Sequence, residues 1–101
     1  MEYIPVQTRV MLPPHDDLEE VLTQSLPPLQ DGDIVLITSK IVSIGEGRCV
    51  SMADVDKAEL VSQEADVLIL PQYRHAPLTI KHHAFLGSAG IDESNGNSYY
   101  V

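Results

Sequence analysis

Two short stretches carry side chains whose types and spacing could do chemistry. The first is Thr38-Ser39-Lys40, at the end of the apolar run Ile34–Ile37. A hydroxyl and a positive charge where a strand ends suit a phosphate, because backbone N–H groups are free at such junctions. A helix cap followed by a solvated lysine accounts for the same residues, and no complete GxxxxGK[ST] loop is present. The second stretch is Gly90-Ile91-Asp92-Glu93-Ser94-Asn95, followed by Gly96 and Asn97. Asp92, Glu93, Ser94 and Asn95 offer side-chain oxygens within one short loop, and hard divalent cations take oxygen ligands. The spacing is not that of an EF-hand, and on chemistry alone a solvent-facing turn rich in Asp, Ser, Asn and Gly explains the loop better.

Other residues invite chemistry less. His82 and His83 are adjacent, so in a strand they point to opposite faces, and they fall where a hairpin turn is expected. His15 precedes Asp16 and Asp17, which read better as capping carboxylates than as metal ligands. Arg48 beside Cys49 could lower the thiol pKa, yet no histidine lies near it in sequence, and a structural thiol in a strand fits better. Tyr99 and Tyr100 read as strand residues.

The elements that must position these groups follow from periodicity. Residues 2–10 (EYIPVQTRV) alternate loosely and predict an opening strand, with Pro5 suited to an edge. Leu18, Val21, Leu22 and Leu26 share a helical face, Asp16 or Asp17 can cap it, and Pro27-Pro28 stops it, so a helix spans about 17–26. Ile34–Thr38 is a continuous apolar run, as in a strand buried on both faces. Ser39 could cap a short helical or irregular stretch to Ile44, with Gly45 and Gly47 turning the chain into a strand at Arg48–Ser51. A second helix is expected between Met52 and Ala65, capped by Asp54 or Asp56, and Val67–Leu70 extends it or forms a strand. Leu78–Lys81 and Ala84–Ser88 read as a hairpin turning at His82-His83. A last strand starts at Ser98, and its Tyr99-Tyr100-Val101 predicts that the chain stops inside a strand. The fold class is α+β: a mixed or antiparallel sheet with about two helices, in one domain over residues 1–101.

Fifteen acidic against six basic residues give a formal charge of −9. That charge repels a nucleic-acid backbone, and Arg9, Lys40, Arg48, Lys57, Arg74 and Lys81 are too scattered to offset it. A nucleotide could still bind with divalent cations bridging phosphate to carboxylate. No apolar run approaches the roughly 20 residues that span a bilayer, so no membrane partner is expected. A single cysteine fits a reducing cytoplasm.

In order and spacing, these segments resemble the coenzyme F-420:glutamate gamma-glutamyl ligase family. The residues carrying the likeness are Met11-Leu12-Pro13-Pro14, Asp31-Gly32-Asp33, Ser39-Lys40, Ser43, Glu46-Gly47-Arg48 and, most specifically, Ala89-Gly90-Ile91-Asp92-Glu93-Ser94-Asn95. The likeness covers nearly the whole chain and marks it as similar to the N-terminal part of such a domain. It implies GTP-dependent amide-bond formation, in which an acceptor carboxyl is activated as an acyl phosphate and attacked by the amino group of L-glutamate. Mg2+ or Mn2+ would shield the phosphates. By position, Asp92 resembles the metal-binding aspartate. Leu12, Pro13, Ser39, Lys40 and Asn95 resemble nucleotide contacts; no residue is assigned as catalytic.

Two departures qualify the likeness. Where the family often reads S-K-A-E-G-R, this chain has Ser43-Ile44-Gly45-Glu46, and a neutral Ile44 cannot neutralise phosphate. The family's further acidic metal ligands, in a TDTxGR-like segment, have no counterpart within these 101 residues, so the chain alone is expected to bind nucleotide and metal weakly and to catalyse nothing. Short variants are similar to proteins linked to folate gamma-glutamylation, which leaves the acceptor open between an F-420 precursor and a folate-like carboxylate. A homodimer is expected. The competing reading is a non-catalytic assembly module of the same fold that completes a sheet with a partner chain or a second copy.

Overall fold

Asp17 opens the first helix. Its carboxylate accepts the Glu20 N–H at 2.9 Å, and α1 runs Leu18–Ser25 with Val21 buried beneath it. Pro27 and Pro28 follow closely, as a stop signal requires. Helix α2, Ser39–Gly45, starts from Thr38, not from the expected Ser39 cap, and buries Ile44. Its end explains the Glu-Gly-Arg sequence. Gly47 adopts φ 69°, its N–H donates to the Ile44 carbonyl, and the Arg48 N–H donates to the Ser43 carbonyl at 2.8 Å. This is the Schellman arrangement, in which a glycine takes the left-handed position just past the helix.

The computed structural model describes residues 1–69, 77–93 and 97–101, in two compact units, Met1–Cys49 and Val50–Val101. In the first unit α1 meets α2, and Met11, Val21 and Ile44 are the buried apolar residues. The approach is close at one point: a Cβ on Gly45 would lie 2.6 Å from the Leu18 Cβ, so glycine is what lets the helices touch. In the second unit, β1 (Val50–Ser51) pairs antiparallel with β5 (Tyr99–Tyr100). Helix α3, Lys57–Glu64, is capped by Asp56 and buries Leu60 and Val61. A three-stranded antiparallel sheet holds β2 (Val67–Ile69), β3 (Leu78–Lys81) and β4 (Ala84–Gly87) in that order.

The α+β class and the antiparallel pairing agree with the sequence reading, with three α-helices among the described residues where about two were expected. The hairpin is as anticipated. Lys81 faces Ala84 across a two-residue turn, and His82 and His83 both take positive φ, 50° and 63°, the mark of the type I′ geometry that matches strand twist. Asp66 fastens it, its carboxylate accepting the His82 N–H at 2.8 Å. The helix expected from Met52 begins only at Lys57, because Asp56 caps there. Leu70 lies outside the described residues.

Two expectations fail. Residues 2–10 and 34–38 form no strand. Ile34 is 78% and Leu36 82% exposed, the opposite of a strand buried on both faces. The physical reason is the absence of partners among the described residues: a strand needs neighbours for its N–H and C=O groups and a layer on each buried face. Residues 2–6 and 34–38 instead line an open apolar cleft of about 910 Å³ with Leu22, Leu26 and Ile41.

Candidate functional site

In the first unit the Leu12-Pro13 segment is shaped by one carboxylate. Asp16 accepts both guanidinium nitrogens of Arg9, at 2.9 and 2.8 Å, the Leu12 N–H at 3.1 Å and the Asp17 N–H at 2.8 Å. Glu20 reaches the same guanidinium at 3.4 Å. The bidentate bond from Arg9, followed by the Leu12 N–H, holds the Asp16 carboxyl well below the ordinary carboxylate range, and the same pairing raises Arg9. Asp16 thus does not cap α1; it fastens the loop that precedes it. Its N–H reaches the Ile44 carbonyl at 3.3 Å, and His15 lies against Gly47, so the loop sits at the C-terminal end of α2.

Ser39 and Lys40 form the first turn of α2, Ser39 exposed and Lys40 half-buried. At 1.5 Å rise per residue, Ser39 is roughly 7.5 Å along the axis from Ile44, where the Leu12–Asp16 loop docks. The two segments therefore address opposite ends of one short helix. Ile44, the neutral residue noted in the sequence, is 4% exposed and lies in α2, which meets α1.

In the second unit the loop from Ala89 is tied down on several sides. Ser88, Ala89 and Gly90 form a turn with left-handed φ of 51°, 53° and 80°. The Ser88 N–H donates to the Pro77 carbonyl and the Ile91 N–H to the Ser88 carbonyl, each at 2.9 Å. Half-buried Asp92 exchanges two backbone bonds with Val101, both at 2.9 Å. Glu93, one of the oxygen sources noted in the sequence, pairs instead with Lys57 of α3 at 3.1 Å. Ser94, Asn95 and Gly96 lie outside the described residues, so the expected nucleotide contact at Asn95 does too.

A divalent cation can be tested against this donor set. Among the described residues no three His, Cys, Asp or Glu side chains converge as a metal site. Asp92 provides one carboxylate, and Mg2+ is commonly held by one or two carboxylates with phosphate oxygens and water completing its shell. Cys49 shows no sign of activation: partial burial pushes its thiol pKa up. The residues that sequence reasoning missed are Arg9 and Thr79, whose side chains shape the two loops. Their partners are separated in the chain, and no local pattern marks them.

The molecule is thus an α+β protein with antiparallel pairing and one carboxylate loop. The family model of F420-0:gamma-glutamyl ligase matches residues 6–101, and the chain belongs to that family. Coenzyme F420:L-glutamate ligase from Methanopyrus kandleri is 25% identical over 118 aligned residues, covering 100% of this chain and 46% of that protein. The chain spans about half the length of this curated relative. No solved structure matches it.

Proposed function

We propose that this chain is the nucleotide- and metal-binding part of a GTP-dependent gamma-glutamyl ligase that adds L-glutamate to an acceptor carboxyl, either a coenzyme F-420 precursor or a folate-like molecule. The observation that carries this reading is the family match over residues 6–101, which includes both loops described above. In such a reaction the acceptor carboxylate attacks the terminal phosphorus of GTP, forming an acyl phosphate and releasing GDP. The glutamate amine then attacks the acyl carbon, loses a proton, and expels inorganic phosphate as the amide forms. Mg2+ or Mn2+ supplies charge neutralisation at the phosphates.

This chain's residues would bind and orient. Asp92 offers one carboxylate to the cation. Leu12 and Pro13, held by the Arg9–Asp16 pair, and Ser39, Lys40 and Asn95 would contact the nucleotide. The net charge of −9 makes nucleotide binding dependent on the cation, because bare phosphate is repelled. No described helix is long and apolar enough to cross a membrane, and the working setting proposed is the cytoplasm. Asp92→Ala in the complete ligase is expected to lower metal-dependent amide formation at least about 100-fold while the melting temperature stays near wild type. Full activity in that variant would refute the role given to Asp92.

One observation favours a second reading, an assembly module that acts by pairing. The apolar runs at residues 2–10 and 34–37 lie exposed, ready to complete a sheet with a partner chain or a second copy in a homodimer. Sedimentation of the chain across a concentration series separates the readings when combined with GTP and Mn2+ titration. Association without nucleotide binding favours the module, and nucleotide binding favours the ligase part.

A further inference from the structure

The turn that leads into Asp92 is costly by itself. Glycine takes left-handed angles freely, but Ser88 and Ala89 resist them, and such residues persist only where the surroundings enforce the conformation. The enforcing group is on β3. Thr79 is 0% exposed. Its Oγ1 accepts the Ala89 N–H at 2.8 Å and donates its own proton to the Leu86 carbonyl at 2.6 Å. Both hydrogen-bonding capacities of one buried hydroxyl thus go to the strand and turn that deliver the Asp92 loop.

The position is unusual for a threonine in chemical terms. Valine has the same branched shape and would fill the same space, yet it offers nothing to the Ala89 N–H, which would then be buried without a partner. Every other bond described in the turn runs backbone to backbone and survives any side-chain change at 79. Among the bonds described in the turn, those of the Thr79 hydroxyl are therefore the ones that depend on side-chain identity. Asp92 follows three residues after Ala89, and its backbone is pinned beyond the turn by Val101. Any relaxation of Ala89 shifts the segment between those two anchors.

We propose that Thr79 is a positioning residue for Asp92: its hydroxyl locks the left-handed Ser88–Gly90 turn and so fixes where the Asp92 carboxylate is presented to a divalent cation. The inference rests on the reading of Asp92 as a cation ligand, and the test separates the two.

The test is NMR spectroscopy of the 101-residue chain with Mn2+ as the probe, in wild type, Thr79→Val and Thr79→Ser. In wild type, Mn2+ is expected to broaden the Ile91–Glu93 amide signals first, and the Ala89 amide is expected to exchange slowly with deuterium. Thr79→Val should weaken Mn2+ binding about 10-fold or more, as loss of a group supporting a metal ligand typically does. It should also speed Ala89 exchange while leaving signals of α3 and the β1–β5 pair in place. Thr79→Ser keeps the hydroxyl and should restore both properties. A folded Thr79→Val chain with wild-type Mn2+ affinity overturns the proposal, as does a serine variant as impaired as valine. Should the valine chain not fold, wild type and serine decide. Slow Ala89 exchange with unchanged Mn2+ affinity in the serine chain supports the proposal, and fast Ala89 exchange in wild type overturns it. If Mn2+ broadens nothing near Asp92 in wild type, the Asp92 reading fails and takes the positioning role with it. If wild type broadens there and folded valine does so at the same concentrations, only the Thr79 inference fails.

Discussion

The runs at residues 2–10 and 34–37 are as rich in strand-forming residues as the segments 67–69 and 78–87, but only the second pair of segments forms a sheet. In the second unit a two-residue turn places β3 against β4 with its register set locally, Lys81 facing Ala84. Asp66 fastens that turn from the start of β2. In the first unit the two apolar runs have no such turn between them; α1 and its flanking loops intervene. Strand propensity describes how a residue fits a pleated, half-buried surface, and it yields a strand only where a neighbour supplies the other half of the ladder. The first unit is instead held by a small helix contact and by the carboxylate of Asp16.

That contrast can be broken at Ile44. If the α1–α2 contact is what organises the first unit, Ile44→Lys buries a charge at a site 4% exposed and is expected to cost about 3 kcal/mol. It should not create a phosphate-binding lysine. Thermal unfolding followed by circular dichroism, with GTP titration alongside, checks it. A stable Ile44→Lys chain with tighter GTP binding would show that position 44 faces the ligand.

A smaller effect is expected from the Arg9–Asp16 pair. Because the folded-state pKa of Asp16 is depressed by Arg9 and the Leu12 N–H, its contribution to stability is complete above the unfolded value near 4. It is lost progressively as pH falls below that value and the native carboxyl takes up a proton. The melting-temperature gap between wild type and Asp16→Asn should be constant from neutral pH to about pH 4 and shrink at lower pH. Added salt should narrow it at neutral pH, since Arg9 is exposed and Asp16 is only partly covered. Unfolding scans between pH 2 and 7 give the answer. A gap that persists unchanged at the lowest pH would assign the loop's order to packing.

The smallest effect on stability is expected at the unpaired run. Leu36→Lys alters a residue 82% exposed and should change the unfolding free energy by no more than about 0.5 kcal/mol. Self-association, measured by light scattering, should fall, because the change interrupts an exposed apolar surface. A large loss of stability would mean that residues 34–37 are covered in solution.

Several features were legible from the residues alone because their causes are local. Asp17 and Asp56 cap helices through N–H groups three residues away or fewer, Pro27-Pro28 ends a helix, and the His82-His83 turn joins strands whose pairing begins at the next residue. The family likeness was also legible, since Ala89–Asn95 is a contiguous motif and the match runs over residues 6–101. The site was legible only as a set of residue names. The loop offers Asp92 and Glu93 together by spacing, and only the structure pairs Glu93 with Lys57.

What the tertiary structure decided concerns partners distant in sequence. It alone paired β1 with β5 and β2 with β3, left residues 34–37 without a strand partner among the described residues, and buried Ile44. It also turned Asp16 from a helix cap into a clamp on the Leu12 loop, and gave Thr79, ten residues before Ala89, the task of holding the turn at Asp92. Capping, breaking and turning are set by the few bonds nearest a residue, so composition and spacing reveal them. Burial and pairing depend on which segments meet in space, a relation that no single segment contains.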